Sequence, residues 1–107
     1  MNNIDKFALK EITENPIKLD FSDCKTLADV HVLLKMKFGF HDYYGANWDA
    51  LWDLMQDVFS DGEEYLVEIY NLNKMNNALR NSCEKMLEVF ENLHNINSNF
   101  KFIIVGD

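Results

Sequence analysis

The apolar positions of this chain change period several times along its length, and each change marks an element. After Pro16, Ile17-Lys18-Leu19-Asp20-Phe21 alternates apolar and polar, which predicts a strand with one buried face. Thr26 then opens a helix, with Asp29 three residues on as a loose capping box. Leu27, Val30, Leu33, Leu34 and Phe38 supply its apolar stripe, and Gly39 is placed to stop it. Tyr43-Tyr44-Gly45 reads as a turn, and Asn47 as the N-cap of a second helix that buries Leu51, Leu54, Met55 and Val58. Ser60-Asp61-Gly62 ends that element, and Tyr65 to Tyr70 predicts a second strand. One long helix is expected from Asn76 to Leu93, with Leu79, Cys83, Met86, Leu87, Phe90 and Leu93 on its apolar side. The closing run Phe100 to Val105 is apolar enough to predict a central strand.

Strands separated by helices point to an α/β fold, a small three-stranded parallel sheet packed with helices. A chain of 107 residues is expected to be one domain, here residues 15–107. Residues 1–14 form an N-terminal arm, in which Ile4, Phe7, Ala8 and Ile12 have roughly helical spacing. The composition, 48% hydrophobic and 13% aromatic, can fill a core and excludes a disordered tail. No apolar run reaches the roughly 20 residues that span a bilayer, and the N-terminus lacks the pattern of a secretory signal. A cytoplasmic protein with no membrane partner is therefore expected. Cys24 and Cys83 are read as two reduced, mostly buried thiols.

Eighteen acidic against ten basic residues give a net charge of −8, which argues against direct nucleic-acid binding. It suits a partner with a basic surface, since long-range attraction speeds such encounters. Asp49, Asp53 and Asp57 sharpen that reading. Their spacing stacks three carboxylates on one face of the second helix, opposite its apolar side. Like charges four apart cost about 0.2–0.5 kcal/mol per pair in an isolated helix. Asp49 near the N-terminus is favoured by the helix dipole, whereas Asp57 near the other end is disfavoured. A local penalty inside a well-formed helix is a place to look for function. Tyr43, Tyr44, Trp48 and Trp52 lie beside these acids. Rings next to carboxylates are the composition of a protein interface, and Trp48, next to the N-cap, is expected to be the more exposed indole.

Catalytic chemistry finds little support. His31, His41 and His94 have no zinc-binding spacing, and His31 is expected at the surface or a boundary of the first helix. Cys83 and His94, on one helix, would lie about 16 Å apart along its axis, too far for a thiol–imidazole pair. Carboxylates on a ridge diverge into solvent instead of converging on a cation, and no phosphate-binding glycine loop is present. No enzyme activity, cofactor or metal is expected.

Tyr43-Tyr44-Gly45-Ala46-Asn47-Trp48-Asp49-Ala50-Leu51-Trp52-Asp53 resembles the barstar family of ribonuclease inhibitors, matching the family's Tyr-Tyr-Gly-x-Asn-x-Asp-Ala-Leu-Trp-Asp run at every fixed position. Asp29-Val30-His31, Met86 to Phe90 and Phe102 to Val105 extend the likeness over residues 15 to 107. The resemblance implies a parallel three-stranded fold and neutralisation of a basic, extracellular-type, barnase-like ribonuclease inside the cell that makes it. It also implies a plug in which carboxylates replace RNA phosphates, consistent with the bidentate fit of arginine to either group. Carried over by position, Asp53 is the central carboxylate and Asp49 meets the edge of the enzyme's site. Tyr43 packs on its catalytic histidine, and Asn47 and Trp52 support the interface, with Tyr44 and Gly45 in the preceding loop. Three positions depart from the family pattern. Asn92, beside Glu91, stands where a peripheral acid is usual; Trp48 replaces a smaller apolar residue, and Asp57 a glycine. The alternatives are an immunity or regulatory protein for a different basic toxin or enzyme, and a small enzyme or metal-dependent module.

Overall fold

The three strands line up in chain order, so Tyr65–Tyr70 (β2) occupies the centre of the sheet, between Ile17–Asp20 (β1) and Phe100–Val105 (β3). A computed structural model describes residue 12, residues 14–40 and residues 46–106. Both pairings are parallel, with Ile17 opposite Val67 and Val67 opposite Phe102. Between the strands run Leu27–Phe38 (α1), Trp48–Val58 (α2), a 3-10 turn at Leu72–Lys74, Asn77–Ser82 (α3) and Glu84–Ile96 (α4). The architecture is the α/β arrangement that the alternation of strand and helix patterns predicts.

One face of the sheet carries the core. Ile17, Leu19, Val67, Ile69 and Phe100 are buried on it, while Lys18, Asp20, Lys101 and Ile103 on the opposite face are exposed. Four phenylalanines tie the helices to this face. The Phe38 ring, at the end of α1, lies 5.4 Å from Phe59, which caps α2, and 6.0 Å from Phe90 of α4. Phe59 and Phe90 then meet Phe100 of β3 at 4.9 and 5.9 Å. Edge-on and tilted contacts at these separations add to the apolar area each ring removes from water.

The helix signals read from the sequence operate as local chemistry. Thr26 accepts from the Asp29 amide while the Asp29 carboxylate accepts from the Thr26 and Lys25 amides, a complete capping box. These bonds hold the Asp29 carboxyl below its usual range. Gly39 takes φ 69°, the left-handed value at which a helix stops most readily on glycine. Val30, Leu34 and Phe38 are buried as expected, Leu33 is half-buried, and Leu27, in the first turn, is 37% exposed.

Four expectations need correction. β3 is not central: it lies at the edge, and Ile103 and Ile104 are 46% and 45% exposed. An apolar run implies two-sided burial only where helices cover both faces, and among the described residues they cover one. The single helix from Asn76 is two, α3 and α4, divided at Cys83, whose ψ of −7° departs from the helical value. Leu79, Cys83 and Met86 are all buried across that break, so packing sets it where no proline or glycine marks it. His31 is not at the surface but 4% exposed. Its ring lies 4.5 Å from that of Trp48, which is half-buried against the core. A pairing between residues of different helices leaves no local periodic trace. Trp48 correspondingly is less open than its place beside the cap suggests.

Both cysteines are free, Cys83 buried and Cys24 half-buried; burial pushes the Cys83 thiol up to about 11. Of the arm, Ile4, Phe7 and Ala8 lie outside the described residues, as does the turn Tyr43-Tyr44-Gly45. Ile12 packs against the core, and Glu14 forms an ion pair with Lys37 at 2.7 Å.

Phe90→Ala is expected to cost about 3–5 kcal/mol in urea unfolding, because three other rings lose a partner. Ile103→Thr on the exposed face should stay within about 0.5 kcal/mol. Burial also lowers the His31 pKa from its ordinary 6.5. The unfolded chain then binds more protons than the folded one as pH falls below 6.5, so His31 costs no stability above that value and progressively more down to its folded pKa. Melting temperature followed between about pH 5 and pH 7.5 should show this slope in the native chain and lose it in His31→Gln. The lowered carboxyls of Asp20, Asp29 and Asp61 act separately, giving up stability only as pH falls below about 3.8.

Candidate functional site: an acidic helix and the cleft beside it

Asn47 starts α2 by accepting from the Ala50 amide at 2.8 Å, which satisfies a donor the helix cannot pair internally. Leu51 and Met55 are fully buried one turn apart, and Leu54 and Val58 pack half-buried beside them. This apolar side holds the helix against the core and turns Asp49, Asp53 and Asp57 outward, where all three are exposed. Among the described residues none forms an ion pair with these aspartates. The repulsion between neighbours four apart is therefore not offset within the described fold.

The C-terminal end of the helix is held firmly. Phe59 closes it, and the Asn97 side chain donates to the Phe59 carbonyl at 2.7 Å. Ser60 donates its hydroxyl to the Asp57 carbonyl at 2.7 Å. In the following loop the Tyr65 hydroxyl donates to Asp61 at 2.7 Å, which holds the Asp61 carboxyl down and pushes the Tyr65 phenol up to about 12. Such anchoring presents the ridge on a rigid element, as a recognition surface requires.

α2 packs against α4, and a cleft of about 280 Å³ runs between them. Trp48, Asp49 and Trp52 line it from α2, and Lys85, Glu88, Val89 and Asn92 from α4. The structure thus brings Trp48, Asp49, Trp52 and Asn92 together at one cleft, with Asp53 and Asp57 continuing the ridge away from it. Glu91 faces a neighbouring hollow lined also by Glu84, Leu87 and Glu88. Tyr43, Tyr44 and Gly45 lie outside the described residues. Two contributors had no signal in the sequence. Glu88 enters the cleft only because α4 packs on α2, and His31 supports Trp48 from beneath through the ring contact between α1 and α2.

The side chains offer a binding face: carboxylates to accept charged hydrogen bonds, indole rings to stack, and little enclosure. Among the described residues no group of histidine, cysteine and carboxylate side chains is arranged to hold a metal ion, and no helix is long and apolar enough to cross a membrane. No individually curated protein matches the chain. Residues 15–105, most of its length, match the family described as Barstar (barnase inhibitor). The chain, an α/β fold with a three-stranded parallel sheet, belongs to the Barstar (barnase inhibitor) family.

Proposed function

We propose that this protein is a stoichiometric inhibitor of a basic, barnase-like ribonuclease, and not an enzyme. The observation that carries the reading is the ridge of Asp49, Asp53 and Asp57, exposed on a helix whose other side is locked in the core. Three carboxylates at regular spacing imitate successive phosphates of RNA, and arginine forks bind either group in the same geometry. Placed in a cationic active site, α2 occupies the position of the substrate and blocks it.

In this reading Asp53 is the central carboxylate and Asp49 meets the rim, with Tyr43, Tyr44 and Gly45 contributing from the segment before the helix. Asn47 caps the start of the helix that carries the acids. Trp48 and Trp52 supply rigid apolar contact next to the acids, the combination that concentrates binding energy at interfaces. Asp57, Glu91 and Asn92 belong to the periphery. The net charge of −8 draws a cationic enzyme in from a distance and keeps the inhibitor off RNA.

A second reading keeps the face and changes the partner to another basic toxin or enzyme, the inhibitor then serving as its immunity protein. Trp48 favours it: the indole lines the cleft between α2 and α4, so a partner fitted to a smaller side chain there meets a different surface.

Inhibition of a barnase-like ribonuclease, titrated at low and at physiological salt, tests both readings. The native chain should inhibit at one-to-one stoichiometry. Asp53→Ala should weaken binding by about 2–5 kcal/mol, a range that draws on complexes of this same family. Full affinity in the variant would remove Asp53 from the centre, and no inhibition by the native chain would favour the second reading. Glu91→Ala should slow association and reduce its salt dependence while leaving dissociation nearly unchanged. A raised dissociation rate would instead place Glu91 inside the buried contact.

A further inference from the structure

α1 buries one side of its surface and carries apolar groups on another. Val32 and Met36, one turn apart, are 56% and 72% exposed, and Leu33 beside them is half-buried. Apolar residues scattered singly over a surface are ordinary. These three are not scattered, since they line one hollow of about 270 Å³ together with the half-buried Cys24. Two of the aspartates at the same hollow are occupied locally. Asp29 closes the capping box of α1, and Asp20 accepts from the Ser22 amide and the Asn71 side chain. What α1 itself offers at the hollow is therefore apolar.

The segment before β1 reaches this helix. Glu14 pairs at 2.7 Å with Lys37 in the last turn of α1, and Ile12 packs against the core. Lys37 and Leu33 are one turn apart, so the anchor stands on the same flank of α1 as the hollow. Ile4, Phe7 and Ala8, outside the described residues, share a helical spacing with Ile12. In helical form residues 4–12 rise about 12 Å, the same as α1 from Lys37 back to Asp29.

We propose that residues 4–11 form an amphipathic helix that folds back along α1 and docks Ile4, Phe7 and Ala8 on Val32, Leu33 and Met36. A helix this short is marginal alone in water, and the apolar hollow supplies the burial that it lacks. The anchor at Glu14 selects this occupant over a separate molecule. A segment tethered there meets the hollow at an effective concentration on the order of millimolar, with no second molecule to capture. The docked helix also covers Cys24. None of the residues at this hollow borders the cleft between α2 and α4, so the assignment stands apart from the ribonuclease reading.

The test uses the full chain, isotope-labelled, with hydrogen exchange read by NMR and alkylation of Cys24 by iodoacetamide read by peptide mass. Amides of residues 4–10 should exchange at least about tenfold more slowly than unprotected ones. Met36→Lys, at an exposed position of α1, and Phe7→Lys, on the arm, should each abolish that protection. Both should speed alkylation of Cys24 by at least about threefold, with the exchange pattern of the three strands unchanged. Met36→Leu, which keeps an apolar side chain, should behave as the native chain. The native chain should sediment as a monomer. Unprotected amides in residues 4–10, equal alkylation of Cys24 in the native chain and Met36→Lys, or protection confined to a dimer would each overturn the proposal.

Discussion

The contact of Phe38, Phe59, Phe90 and Phe100 is the constraint from which the rest of the structure follows. Each ring comes from a different element, and three of the four stand at an element's end, so their packing fixes where α1, α2 and α4 sit over β3. Close-packed interiors tolerate little displacement of such rings. Because Phe59 is the residue that closes α2, the core anchors that helix at its C-terminus, while the Asn47 cap and Trp48 against His31 hold its start. A helix gripped at both ends can carry a face that its own surface chemistry disfavours.

That face is the second consequence. Asp49, Asp53 and Asp57 repel one another by a few tenths of a kcal/mol per pair, a cost small beside the burial of Leu51 and Met55 on the opposite side. The fold therefore tolerates an unneutralised ridge easily, and the ridge remains available to a cationic partner. α4 extends the acidity, since Glu88 joins Asp49 at the cleft between the two helices. On its other flank the same helix borders the open edge of β3. One scaffold thus presents two features of different character: a rigid convex ridge, and a strand edge that no other described strand pairs.

Elements with strong local signals were legible from residues alone. The alternation of Ile17 to Phe21, the Thr26–Asp29 box, the Gly39 stop and the Asn47 cap each act within a few positions, and a local signal survives in the sequence whatever the tertiary context. The division of α2 into an apolar and an acidic side was equally legible, because helical geometry alone separates Leu51 and Met55 from Asp49, Asp53 and Asp57. The position of β3 was not. Its apolar run reflects contact with α4 on one face and an exposed flank on the other, and strand order is decided by which strands pair.

Bond geometry and side chains a few residues apart set the period of each element, its caps, its charge and the carboxylate ridge, so all of these stand in the order of the residues. Long-range packing set what lies opposite what: the break at Cys83, the burial of His31 under Trp48, the cleft that joins Glu88 and Asn92 to α2, and the exposure of Ile103 and Ile104. Those are contacts between residues distant in the chain. Their energies depend on how whole surfaces fit, and no periodicity within a single element records them.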